Sequence, residues 1–149
     1  MPNFLRESYR DFGDVDVDKI RYQSNGHWVN GVLVVPKASS EPLPCIMYNR
    51  GGSFEFGVID DAKLEKNLAE IASWGYVVIA SQYSGNGGSE GKDEIGGADV
   101  EDVLVFKEYL LDFLSQELEK LAQQLRNEGH SLDAAHYLIG FVGSIKDLH

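Results

Sequence analysis

One cysteine, Cys45, stands among the 149 residues, so no internal disulfide can staple this chain and a packed core must hold it. Cys45 falls within an apolar run, where it is expected as a small buried residue of a strand. Long hydrophobic runs are also missing. None approaches the ~20 residues that span a bilayer, and the opening MPNFLRESYR lacks the apolar centre of a secretory signal, so no membrane partner and a cytoplasmic location are expected. Positive charge is scarce: 13 Lys and Arg face 24 Asp and Glu, and the net charge of −11 repels phosphate backbones, which argues against nucleic acid.

Motifs are absent as well. The histidines His27, His130, His136 and His149 show neither H-E-x-x-H nor a close Cys/His spacing, so no metal is expected. No G-x-x-x-x-G-K-[ST] occurs, and the G-x-G-x-x-G spacing is missing after the first apolar strand. In SGNGGSEGKDEIGGADVEDV the carboxylates Asp93, Glu94, Asp99, Glu101 and Asp102 would repel a phosphate. That segment reads as a solvated loop with acids at the start of a helix, and no cofactor is expected. Asp60-Asp61 and Asp99/Asp102 likewise read as caps and a solvated face.

What is present is an ordinary globular composition, 43% hydrophobic, in a chain long enough for one core. A single domain over 1–149 is expected. Asn25-Gly26 has the chemistry of a tight turn joining strands at about 18–24 and 27–35. PCIMYN and VVIASQY read as buried parallel strands at about 44–49 and 76–83. Between them Leu64, Leu68, Ile71 and Ala72 recur at helical spacing over about 61–74, with Gly75 as the cap. A second helix is expected over about 98–128, closed by Gly129, and a last one from Ser131, although HYLIGFVGSI at 136–145 also reads as a strand. The expected buried set is Val32, Val34, Ile46, Leu68, Ile71, Val77, Ile79, Leu104 and Leu111. Leu114, Leu118, Leu121 and Leu125 extend the apolar stripe beyond what one small globule can cover, which predicts a homo-oligomer formed through these four leucines.

GHWVNGVLVVPK, PCIMYNRGGSFEFG and WGYVVIASQYSGNGGSEGKDEIGGADVEDV stand in an order that resembles the opening of the catalytic domain of the prolyl oligopeptidase family, within the α/β-hydrolase superfamily. The resemblance covers about residues 18–110 and is most specific from Trp74 to Val103. It implies a truncated α/β-hydrolase-like sheet with an N-terminal antiparallel hairpin, followed over 111–149 by a helical hairpin unlike the family. It also implies an oxyanion-binding region at Tyr48, Arg50, Gly51 and Gly52, because glycines at a strand end let amides approach a developing negative charge. The family next carries a G-x-S-x-G nucleophile elbow. Here GFVGS sets Val142 at the centre, and Ser144, Asp147 and His149 crowd into six residues, too close to build a triad from separate loops. No catalytic residue is therefore assigned. The expectation is a serine peptidase or esterase relative without catalysis on its own. The alternative is a non-enzymatic self-association module, in a chimeric or engineered chain.

Overall fold

The computed structural model describes residues 4–37 and 43–129. Two compact units divide the chain, residues 1–106 and residues 107–149.

The first unit is organised by a hairpin. Strands β2 (Val15–Ser24) and β3 (His27–Pro36) pair antiparallel from Val15↔Pro36 to Ser24↔His27. Asn25 and Gly26 turn the chain with φ of 50° and 78°, the double positive φ that the two-residue turn requires. Strand β1 (Phe4–Asp11) adds antiparallel to β2, with a register shift between Ser8 and Arg10. Strands β4 (Cys45–Met47) and β5 (Val77–Ser81) are parallel to each other, with Ile46 opposite Val78. The five-stranded mixed sheet has the order β1-β2-β3-β5-β4, so β5 lies between β3 and β4.

A helical stretch over 61–73 connects β4 to β5. Asp60 caps it by accepting from the Lys63 N–H at 2.8 Å, a wide π-type segment occupies Leu64–Ala69, and Gly75, at φ 98°, donates to the Ala72 carbonyl at its end. Its apolar side, Leu64, Leu68 and Ala72, packs on Val15, Val17, Val32, Val34, Val78 and Ala80. Fully burying each leucine or valine contributes about 1.5–3 kcal/mol. The sheet's other face carries Ile20, Tyr22, Leu33 and Ile79, all buried. Phe106 stacks on Tyr22 with ring centroids 4.6 Å apart. Gly31 accommodates that ring, because a Cβ there would come within 2.8 Å of Phe106 Cε1. Phe106 belongs to a long helix, Val100–Asn127, after which Gly129 at φ 78° donates to the Arg126 carbonyl.

Several expectations are corrected. Cys45 is exposed, not a core residue, because among the described residues β4 is an edge strand paired only with β5. For the same reason Ile46 is only half-buried; Ile71, Val77 and Leu111, on other elements, are half-buried as well. Leu104 is 47% exposed while Phe106 is 1% exposed. Residues two positions apart on a helix stand roughly 200° apart, so a helix that aims Phe106 at the sheet turns Leu104 to solvent. Strand β1 went unread because six of its eight residues are exposed, which leaves no apolar alternation to detect. The segment from Ser131, including 136–145 and Ser144, Asp147 and His149, lies outside the described residues, as do the side chains of Leu114, Leu118 and Leu121. No helix among the described residues is long and apolar enough to cross a membrane.

Candidate functional site

At the carboxyl ends of the parallel pair the chain leaves the sheet in two loops, Tyr48–Ile59 after β4 and Gln82–Asp99 after β5. Between them lies a cleft of about 320 Å³ lined by Asn49, Gly52, Tyr83, Asp93, Asp99 and the apolar side chains of Ile95, Val100, Val103 and Leu104.

Tyr48 extends the ladder by one bond, its N–H donating to the Ile79 carbonyl at 2.8 Å, while its hydroxyl accepts from Asn67 Nδ2 at 3.4 Å. Arg50, two residues on, is buried. Its Nε donates to the Gln82 carbonyl at 3.0 Å, and its two Nη atoms donate to the carbonyls of Phe54 and Phe56 at 3.2 Å. The guanidinium thus folds the glycine loop around itself and ties it to the end of β5. Gly51 and Gly52 remain exposed at the mouth of this loop. Gly52 sits at φ 86°, and a Cβ there would collide with the Phe56 carbonyl, so glycine is required.

Asp93 closes the arrangement from the second loop. It accepts from the N–H of Phe54 at 2.6 Å and of Ile95 at 2.8 Å, and from Asn86 Nδ2 at 3.0 Å, with Arg50 Nη2 at 4.0 Å. The Phe54 amide, followed by Asn86, holds this carboxyl below its ordinary range, against the opposite effect of burial. Three non-glycine residues with positive φ surround it: Phe54 (55°), Tyr83 (66°) and Ile95 (56°). Each such conformation costs about 1–3 kcal/mol and persists only where neighbours over-determine it.

Tyr83 rests on Arg50, whose guanidinium carbon is 5.1 Å from the ring centroid. Burial raises its hydroxyl pKa, with Asp99 and Asp102 adding to the rise and Arg50 opposing it. Behind Tyr83, Asp102 is fully buried and its Oδ2 accepts from the Ser84 N–H at 2.7 Å, while Oδ1 has no partner. Tyr22 reaches the same place: its hydroxyl shares a hydrogen bond with Ser81 Oγ at 2.6 Å and donates to the Asp102 carbonyl at 2.9 Å.

Of the four residues singled out in YNRGG, Gly52 lines the cleft, while Arg50 is buried and the Tyr48 hydroxyl meets Asn67 of the helical stretch. The acidic loop matches its expectation only in part: Glu94 and Glu101 are exposed and the helix opens on acids, but Asp93, Asp99 and Asp102 are buried acceptors of backbone N–H groups and not a solvated face. The available signal was the density of glycines around them, since a loop of bare backbone at positive φ turns many N–H groups inward and needs carboxylates to receive them. Among the described residues no group of three or more His, Cys, Asp or Glu side chains could hold a metal ion.

The fold is thus a mixed α/β sheet with its cleft at the ends of the parallel strands. Over 83 residues, 56% of this chain, the sequence is 37% identical to the uncharacterized peptidase YtmA of Bacillus subtilis (strain 168). The chain spans about 30% of that relative's length. No family model matches. Among solved structures, the acetyl xylan esterase from Paenibacillus sp. R4 is similar with a TM-score of 0.48 and 22% identity, over 62% of this chain and 29% of that one. Acetyl xylan esterase 1 from Thermoanaerobacterium sp. JW/SL YS485 gives 0.45 and 17%, over 65% and 29%.

Proposed function

We propose that residues 18–110 form the oxyanion side of a serine-hydrolase-type domain, of the peptidase or esterase kind and of the prolyl oligopeptidase branch of the α/β hydrolases, and that this chain does not turn over substrate by itself. The observation that carries the reading is the cleft at the carboxyl ends of β4 and β5, with Gly52 in its lining and its loop held by Arg50 and Asp93, in a sequence with 37% identity to a peptidase over 83 residues. In this reading the Gly51 and Gly52 amides are the oxyanion donors. The Tyr48 amide is occupied by the β5 ladder and the Arg50 guanidinium by three carbonyls, so both position the loop rather than touch substrate.

Hydrolysis of p-nitrophenyl acetate, with fluorophosphonate labelling alongside, tests this. The expected result is no labelling, and acceleration over water of at most roughly 10³-fold, the remnant that an oxyanion site leaves without a triad. Ser144→Ala is expected to change neither. Stoichiometric labelling, together with robust turnover that disappears in Ser144→Ala, would overturn the reading.

A second reading, self-association without catalysis, is favoured by the sheet edge. Among the described residues β4 is paired on one side only, and an unpaired edge presents N–H and C=O groups to another chain. We propose that two copies associate through Leu114, Leu118, Leu121 and Leu125.

A further inference from the structure

The sheet face that carries the 61–73 helix is covered over only part of its area. Beyond the helix, toward the hairpin turn, a groove of about 810 Å³ runs over β1, β2 and β3 and shares no lining residue with the cleft, although Val58, Ile59, Gln82, Gly87 and Gly88 come from the same two loops. Its floor includes Val32, Ile59 and Leu64, and its far wall is Gly87-Gly88, held by Asn30 Nδ2 donating to the Gly87 carbonyl at 3.0 Å. Lys19 and Arg21 rise along its near side, both exposed and on the same face of β2, because alternate residues of a strand share a face.

These two cations are unusual in a chain of net charge −11. The ion pairs among the described residues join Arg6 to Asp18, Arg10 to Asp61, Lys37 to Asp11 and Asp16, Arg50 to Asp93, and Lys107 to Glu108, and include neither Lys19 nor Arg21. Each lies instead over an aromatic face: Lys19 Nζ is 3.8 Å from the Tyr9 ring centroid, and the Arg21 guanidinium carbon is 5.4 Å from that of Trp28. Two carboxylates line the groove. Asp61 is engaged by Arg10 and by the Tyr9 hydroxyl, which leaves Glu7, opposite Lys19 in the ladder, as a single counter-charge to two cations.

We propose that this groove binds an extended acidic peptide segment carrying carboxylates at alternate residues. The spacing selects the class. The backbone positions of Lys19 and Arg21 are two strand residues apart, about 6.6–6.8 Å, and alternate residues of an extended ligand repeat at the same interval. A carboxylate at each alternate position meets one cation, and the rings of Tyr9 and Trp28 hold those cations in place, while the intervening side chains of the ligand point the other way. The proposal does not rest on the hydrolase reading, because Lys19 and Arg21 take no part in the cleft.

The test uses the full chain with Trp74→Phe, which leaves Trp28 as the fluorescent reporter beside Arg21. The probe is a blocked hexapeptide of alternating Glu and Leu, against its Gln isostere and inorganic phosphate. The expected result is a saturable change with the Glu peptide at low salt. Affinity should fall about tenfold or more for the Gln peptide and for Lys19→Glu with Arg21→Glu. The milder pair Lys19→Gln with Arg21→Gln should show a smaller loss, and circular dichroism confirms that each variant is folded. The proposal is overturned if the Glu and Gln peptides bind alike, if charge reversal in a folded variant leaves affinity unchanged, if nothing saturates up to millimolar peptide, or if phosphate displaces the peptide at equal concentration.

Discussion

Arg50 shows how much of this molecule's local order rests on one side chain. Its guanidinium satisfies carbonyls of Gln82, Phe54 and Phe56, and it is the cation nearest the Asp93 carboxylate. Removing one partner of a buried pair leaves the other charge uncompensated, at about 3–5 kcal/mol. Arg50→Met is therefore expected to lose about that much in urea denaturation, and Arg50→Lys a smaller amount, since an ammonium cannot present the same fork. Asp93 sets a pH dependence. Its folded pKa is depressed, so its contribution is present above the unfolded value of about 3.9 and is lost as pH falls through the lower folded one. Asp93→Asn should flatten the acid limb of a stability-against-pH curve, and an unchanged limb would place the acid sensitivity elsewhere. Tyr22 acts in the opposite direction. Burial raises its hydroxyl pKa, so its contribution holds below the unfolded value of about 10 and is lost as pH rises toward the folded one. Ultraviolet titration should find one tyrosine that ionises only as the protein unfolds, and Tyr22→Phe should remove it from the count.

Among the elements, the long helix offers the sharpest discrimination. Leu104 belongs to the apolar stripe read from the sequence, yet it is Phe106, two positions on, that reaches the sheet, through Tyr22 and Gly31. Phe106→Ala should cost about 3–5 kcal/mol, whereas Leu104→Ala should stay within about 0.5 kcal/mol, as for a surface change. Thermal or urea unfolding of the two variants measures this directly. Equal losses would mean that the helix is rotated from the orientation described.

For the whole molecule the outstanding question is association. If two copies pair through Leu114, Leu118, Leu121 and Leu125, sedimentation at micromolar concentration should give a dimer, and Leu118→Glu with Leu121→Glu should return it to the 16.5 kDa monomer. A clean monomer in the unaltered chain would refute the proposal. A dimer unaffected by the two substitutions would move the interface, with the β4 edge the next place to look.

The sequence by itself determined the local elements whose signals are short in range. Asn25-Gly26 specified its turn, Asp60 and Gly75 bounded the first helix, and the two apolar runs became the parallel pair β4 and β5. Each of these depends on φ preferences or hydrogen bonds between residues a few positions apart, so the pattern is written where it acts. Only the tertiary structure decided that β1 exists, that β4 ends the sheet and leaves Cys45 in water, and that Asp93, distant in sequence, closes the glycine loop at Phe54. Those outcomes turn on which surfaces meet. An exposed strand held by its backbone ladder leaves no side-chain periodicity. A carboxylate in a loop reads the same whether it faces solvent or receives three N–H groups, until the opposing loop is brought within hydrogen-bond distance.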